Sequence, residues 1–307
     1  MRGNRDLRHA FLRAVNTVTE FSPAKLNLFL AVTGRRADGY HDLVSVASPL
    51  DFGDELVATR TDAGFTLACN DPIVPTDGSN LVLKAARAFA ATTGWKGGAD
   101  FKLNKRTPLG AGLGGGSSNA VAALRALNQL SGLALGEAKL AEIAIALGSD
   151  CALFLKNASV IMRGRGERIE ELPAAVAARV RGRRVLLFKP GFGISTAWAY
   201  GRMAEETPAH YRPAAEAEAR LAAWQNGNAP VEDLLANNME GVAFGKYLAL
   251  PVLLATLQRE FGVATRMSGS GSACFAVLRD DFVPALLVAR IRDCWGPQAF
   301  VQVARLG

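Results

Sequence analysis

"PLGAGLGGGSSNA", residues 108–120, holds five glycines in the seven positions Gly110 to Gly116, with Ser117, Ser118 and Asn119 directly after them. A glycine is costly to order and buries no side chain, so a core has little use for such a run. The next stretch is helical. Ala120, Val121, Ala123, Leu124, Leu127 and Leu130 recur at spacings of three and four and stop at Gly132. The glycines therefore lead into a helix N-terminus, where unpaired N–H groups and the positive end of the dipole attract anions. Glycine keeps Cβ atoms away from those donors. The candidate anion loop comprises Pro108, Leu109, Gly110, Ala111, Gly112, Leu113, Gly114, Gly115, Gly116, Ser117, Ser118 and Asn119. The plain alternative is a tightly packed glycine turn, and the coincidence of helix start and polar cap favours a phosphate.

Two well-known phosphate loops are excluded. A P-loop requires a lysine after its glycines, and none is present here. Gly110, Gly112 and Gly115 match GxGxxG, but the preceding "DFKLNKRTP" is charged and ends in proline. A buried parallel strand would be continuously apolar. There remains a longer glycine–serine loop around a nucleotide triphosphate.

Upstream, "AKLNLFLAV" (24–32), "HDLVSVASPL" (41–50), "DELVATR" (54–60), "FTLAC" (65–69) and "DFKLNKR" (100–106) read as strands, with a helix over 79–93 capped by Ser79 or Asn80 and closed near Gly94. In 24–32, alternation puts Lys25 and Asn27 on one face and Leu26, Leu28 and Leu30 on the other. Downstream, a helix over 136–147 precedes strand-like pieces at 149–155 and 159–167. A second domain is expected to begin near "VLLFKP", with helices at 195–204, 231–240, 251–261 and 282–293 and strands "VATRM", "ACFAVL" and "AFVQVAR". Strands and helices that mix without strict alternation point to an α+β fold. The expected units are an N-terminal extension (1–20), a first domain (21–180) and a second (181–307).

At 307 residues, half hydrophobic and 21% charged, the composition is that of an ordinary globular protein. No apolar run approaches the roughly 18 residues of a membrane helix, and residues 1–20 lack the apolar segment of a secretion signal. Four scattered cysteines without a CxxC pair, and only three histidines, argue against a zinc site or disulfide framework and for the cytoplasm. A net charge of +7 suits an anionic partner. A nucleic-acid binder would gather its cations with aromatics on one stripe. Here the cations are dispersed and aromatics make up 7%, so a small phosphorylated molecule is preferred and neither nucleic acid nor membrane is expected.

The central motif, "SPAKLNLFL" (22–30) and "RMSGSGSACFAVL" (266–278) together resemble the three motifs of the GHMP kinases, the superfamily of galactokinase, homoserine kinase and mevalonate kinase. The resemblance implies a two-domain α+β fold, with a ribosomal-protein-like N-terminal domain and a ferredoxin-like C-terminal one. It also implies ATP as donor. The opening "PAKLNLFLAVTGRRADGYHDL" is similar to those members that phosphorylate the 2-hydroxyl of a cytidine-diphosphate-linked branched polyol.

Residue by residue, the resemblance implies that Asp150 is the catalytic carboxylate and Lys25 the catalytic lysine, although from its helix-to-strand position alone Asp150 reads as a structural cap. Tyr40 and, from the other face, Tyr200 would stack on the cytosine, with His41 bonding its polar edge. Asn27 and Thr196 would sit near the substrate, and Gly269, Ser270 and Gly271 would approach from the second domain. Trp198 and Phe192 read as core. The family usually has a residue–proline pair after the aspartate, whereas this chain has Cys151 and Ala152, a change expected to loosen the turn that aims Asp150. Magnesium (Mg2+) is expected with the ATP; Ser117 or Ser118 would give one oxygen, and its other ligands are open. The chain is expected to act as a monomer or homodimer.

Overall fold

The computed structural model describes residues 16–206 and 210–307. In the first half two long strands, β1 (Thr17–Arg35) and β2 (His41–Thr61), form an antiparallel ribbon. Next come β3 (Phe65–Cys69), α1 (Leu81–Thr93), β4 (Gly98–Asn104), α2 (Gly115–Ser131) and α3 (Glu137–Leu147). A single 3₁₀ turn (Ala152–Leu155) then leads to β5 (Val160–Gly164), β6 (Arg168–Glu171) and the short α4 (Ala174–Ala177).

The second half contains β7 (Arg184–Lys189), α5 (Thr196–Glu205), α6 (Ala214–Asn226), α7 (Val231–Leu234), β8 (Ala236–Asn237), α8 (Met239–Lys246), α9 (Ala249–Phe261), β9 (Ala264–Met267), β10 (Cys274–Leu278), α10 (Ala285–Trp295) and β11 (Phe300–Arg305). Among the described residues these strands make two sheets. One has the order β3-β4-β2-β1-β8, with β5 and β6 branching from β2; the other has the order β11-β7-β10-β9. The fold is α+β.

Local chemistry explains most elements. In β4, Ala99, Phe101 and Leu103 point inward while Asp100, Lys102 and Asn104 point outward. Asn80 caps α1 by accepting from Val82 N, and Gly94 closes it in the left-handed conformation. A bulge between Asn27 and Phe29 interrupts β1. Lys25, Asn27 and Leu30 consequently line one cavity, whereas Leu26, Leu28 and Phe29 pack into the core between the sheets with Leu187, Phe275 and Val277. The expectation that Leu30 shares a face with Leu26 and Leu28 is corrected by that extra residue.

Other expectations shift as well. Residues 1–15 of the expected extension lie outside the described residues, and Thr17–Glu20 join β1, opposite Leu56–Thr59. Of the strand expected at 149–155, residues 149–151 form a turn and Ala152–Leu155 a 3₁₀ helix. The helix expected at 231–240 breaks into α7, β8 and α8, because Asn237 and Asn238 turn their side chains to distant main chain. β8 pairs parallel with β1, so the C-terminal half supplies a strand to the first sheet. α6 is additional; its Ala217, Leu221 and Trp224, buried at spacings of four and three, carry the helical signal.

Candidate active site

A cavity of about 810 Å³ opens between the two halves, lined by β1, the glycine loop, the head of α2, the 149–150 turn, α5 and the 269–270 turn. Gly114 sits at the N-cap of α2 in the left-handed region (φ 71°), and no side chain caps the helix. The first-turn N–H groups thus lack the side-chain acceptor that ordinarily satisfies them, the arrangement that receives an anion.

Two glycines are required for reasons the sequence does not reveal. At Gly112 (φ 72°) a Cβ would fall 2.2 Å from Ser268 O, and at Gly114 one would fall 2.8 Å from the Phe154 ring. The loop is therefore both bare toward the cavity and packed tightly behind. The turn 268–271 presses on it: Ser268 Oγ donates to Gly112 O at 3.1 Å, while Ser272 N and Ala273 N donate to Gly110 O and Ala111 O.

Lys25 reaches the same carbonyl. Its ammonium donates to Gly112 O at 2.8 Å and to Asn27 Oδ1, and it lies 4.0 Å from Asp150 Oδ2. Asn27 is fixed in turn by Ser45 Oγ, to which its amide donates at 2.9 Å. The Lys25 side chain is 5% exposed and that of Asp150 42%, so the cation is sealed in the wall while the carboxylate opens to the cavity. Burial pulls the Lys25 ammonium below the ordinary lysine range, and the charge of Asp150 opposes that pull.

The turn that carries Asp150 is closed without proline. Cys151 N donates to Gly148 O at 3.1 Å and Phe154 N to Cys151 O at 3.0 Å. Cys151 is fully buried. Its thiol is pushed up to about 11 by burial, against a hydrogen bond with Ser117.

At the opposite end, Tyr40 is 53% exposed, with the Arg165 guanidinium 4.7 Å from its ring centroid. His41 and Tyr200 lie 4.8 Å apart between centroids, and His41 Nε2 shares a hydrogen bond of 3.0 Å with Tyr211 Oη. Burial, then the charge of Arg35, holds the His41 imidazole below its ordinary value of 6.5. Burial and the charge of Asp150 push the Tyr200 phenol up. Thr196 and Ser270 join the two walls through hydroxyls 2.9 Å apart.

Most of the residues singled out in the sequence line this one cavity; Ser118, Asn119 and Gly271 do not. Ser118 accepts from Ser22 Oγ, and Asn119 donates to Ser22 Oγ and Asp54 Oδ2, each at 2.8 Å, so both are buried behind the loop. Gly271 packs against Met267 and Ile194. Phe192 and Trp198 are only half-buried, both against Tyr247.

Sequence reasoning missed Asp54, which is buried and holds the base of the loop. It accepts from Arg106 N (2.8 Å), Thr107 N (2.7 Å), Asn119 and the Lys105 ammonium. It also missed Arg35, Ser45, Lys105 and Arg165 in the cavity wall, and Tyr211 behind His41. In the sequence Asp54 stands as one of four acidic residues of β2, directly before the exposed Glu55, and only its burial sets it apart.

With this geometry in place, comparison with known proteins decides the family. The model of the GHMP kinases N terminal domain matches residues 80–157, and that of GHMP kinases C terminal matches residues 219–296. The chain belongs to the GHMP kinases. It is 38% identical, over 85% of its length and 86% of the relative's, to 4-diphosphocytidyl-2-C-methyl-D-erythritol kinase of Methylacidiphilum infernorum. A crystal structure of 4-(cytidine 5'-diphospho)-2C-methyl-D-erythritol kinase superposes with a TM-score of 0.75 at 32% identity, covering 94% of this chain and all of that one. A homoserine kinase from Cytophaga hutchinsonii shares the fold, with a TM-score of 0.73 at 17% identity, covering 96% of each chain. The chain is accordingly a small-molecule kinase of the GHMP fold, and membership in the family implies ATP as its phosphoryl donor.

Proposed function

We infer that this kinase transfers the terminal phosphoryl group of ATP to the 2-hydroxyl of 4-diphosphocytidyl-2-C-methyl-D-erythritol, a step in non-mevalonate isoprenoid precursor biosynthesis. Its relatives over most of the chain bear that name. The observation in the molecule that supports the reading best is the meeting of Lys25, Asp150 and the bare N-terminus of α2 in one cavity, with aromatic groups at its far end.

In this reading the triphosphate lies along Gly112–Ser117, its charge met by main-chain N–H groups and the dipole of α2. Asp150 accepts the proton of the attacking hydroxyl as the new O–P bond forms. The bond from the terminal phosphorus to the bridging oxygen breaks, and ADP leaves with that oxygen. Lys25, held by Gly112 O and Asn27, places positive charge beside the transferring group without needing to reorganise. Tyr40 and Tyr200 offer flat faces to the cytosine and His41 a hydrogen bond to its edge, while Thr196, Gly269 and Ser270 line the path of the polyol.

Among the described residues no group of three or more His, Cys, Asp or Glu side chains is arranged to hold a metal. Such a wall fits a magnesium ion that arrives on the phosphates, with the half-buried Ser117 hydroxyl as one oxygen ligand. When bound, the ion would neutralise charge on the phosphates. No single described helix is long and apolar enough to cross a membrane, and we place the activity in the cytoplasm.

The test is an assay of ADP release with magnesium, ATP and the cytidylated polyol. Turnover with it, and none with mevalonate or homoserine, is expected. Turnover with either of those and not with the cytidylated substrate overturns the reading.

A further inference from the structure

We propose that a second, smaller cavity, independent of the site above, binds the phosphate or diphosphate group of a small molecule. It has a volume of about 250 Å³ and lies where α6, β8 and β9 meet the strand β1. Its walls carry Arg212, Arg220, Arg266, Glu216 and Glu240 over an apolar floor that includes Phe29 and Leu30.

The arrangement of the arginines carries the proposal. Arg220 donates through one terminal nitrogen to three successive carbonyls, Asp233 O (3.1 Å), Leu234 O (3.3 Å) and Leu235 O (3.4 Å). Arg266 donates through Nε to the same Leu235 O at 3.3 Å and through another nitrogen to Thr265 O at 2.7 Å. Two guanidinium groups thus converge on one carbonyl oxygen. Arg220 is exposed and Arg266 half-buried; the shared Leu235 O holds the two cations together, and an anion beside them would gain from both charges.

The nearby carboxylates do not supply it. Glu216 is taken by Arg212 at 2.7 Å. Glu240 accepts from Met267 N at 2.8 Å, and burial raises its carboxyl above the ordinary range, against that bond and the charge of Arg266. Among the described residues neither Arg220 nor Arg266 is within ion-pair distance of a carboxylate, and the ion pair in this wall is that of Arg212 with Glu216. Arg220 and Arg266 each retain N–H groups beyond those bonded to main chain.

Two guanidinium groups in the wall of one cavity match the several oxygens of a phosphate better than a single carboxylate. The cavity exceeds the room one phosphate fills, given the roughly 30 Å³ that a water occupies, so a diphosphate or a small phosphorylated metabolite suits it. The position is also informative. Leu30 lines both cavities, and Asn237, in the wall of the smaller one, donates to Met267 O and Gly269 O at 2.8 Å each.

The test is calorimetric titration of the full chain with inorganic pyrophosphate and, separately, inorganic phosphate, with a non-hydrolysable ATP analogue present at saturation. Binding of at least pyrophosphate is expected, weakened about tenfold or more by Arg220→Met, the loss of one charge-assisted fork. Tighter binding of pyrophosphate than phosphate identifies a diphosphate site, and the reverse a phosphate site; either supports the proposal. Should Arg220→Met fail to fold, Arg220→Lys keeps the cation and loses the fork, and is expected to bind several-fold more weakly than wild type. No binding under these conditions overturns the proposal. So does unchanged affinity in the Arg220 variants, or a loss on Lys25→Met alone, which would locate the ion in the larger cavity.

Discussion

The two ends of the large cavity are built from different materials. The glycine-loop end is main chain, with bare N–H groups at the head of α2, carbonyls bonded to Lys25 and Ser268, and a buried Asp54 that fastens the base of the loop. The Tyr40 end is made of side chains: a half-exposed ring under Arg165, an imidazole tied to Tyr211, and Tyr200 beside it. Main chain held by packing presents the same donors whatever the side chains, so it suits a ligand part that all these kinases share. Side chains can be matched to one alcohol, and under the proposed function the choice among alcohols falls to that end.

Substitutions in each region sharpen that contrast. Asp150→Asn is expected to lower kcat by about 10³-fold, the ordinary contribution of a positioned base, with nucleotide affinity nearly intact. A kcat within a few-fold of wild type would remove Asp150 from that role. Gly112→Ala comes next. Its Cβ would meet Ser268 O at 2.2 Å, so we expect stability to fall by about 1–3 kcal/mol, read as a lower Tm, with a raised KM for ATP. Unchanged values of both would mean that the two loops separate easily.

At the other end, Tyr40→Ala is expected to raise KM for the cytidylated substrate about tenfold, the scale of one aromatic contact, and to leave KM for ATP alone. A rise in both would erase the distinction between the ends. The smallest effect concerns pH. The folded His41 lies below its ordinary 6.5, so it is neutral at pH 7 and gains a proton only as pH falls past its lowered value. KM for the cytidylated substrate is expected to rise by a few-fold as pH is lowered, with its midpoint below 6.5, and to stay flat toward higher pH. The dependence should vanish in His41→Gln.

The same contrast explains what could be read from the residues alone. Alternation in β4, the Asn80 cap and the Gly94 and Gly132 stops are local and place α1, β4 and the end of α2 within a few residues. The site residues came together because three motifs, far apart in sequence, resemble one family. The misses are tertiary. Residues 152–155 form an apolar run too short to tell a strand from a tight helical turn. Asn237 and Asn238 break an otherwise helical stretch to reach main chain many residues away. Asp54 meets Lys105, Arg106 and Thr107 across more than 50 positions, and nothing nearby in sequence announces the pairing. Ser118 and Asn119 read as ligand donors because they adjoin the glycines; the helix turns them inward, to Ser22 and Asp54.

The most direct measurement is a crystal structure with a non-hydrolysable ATP analogue and the cytidylated polyol. We expect the phosphates along Gly112–Ser117, the terminal phosphorus between Lys25 and Asp150, and the cytosine between Tyr40 and Tyr200. An analogue seated elsewhere, with the α2 N-terminus free of phosphate, would contradict the account.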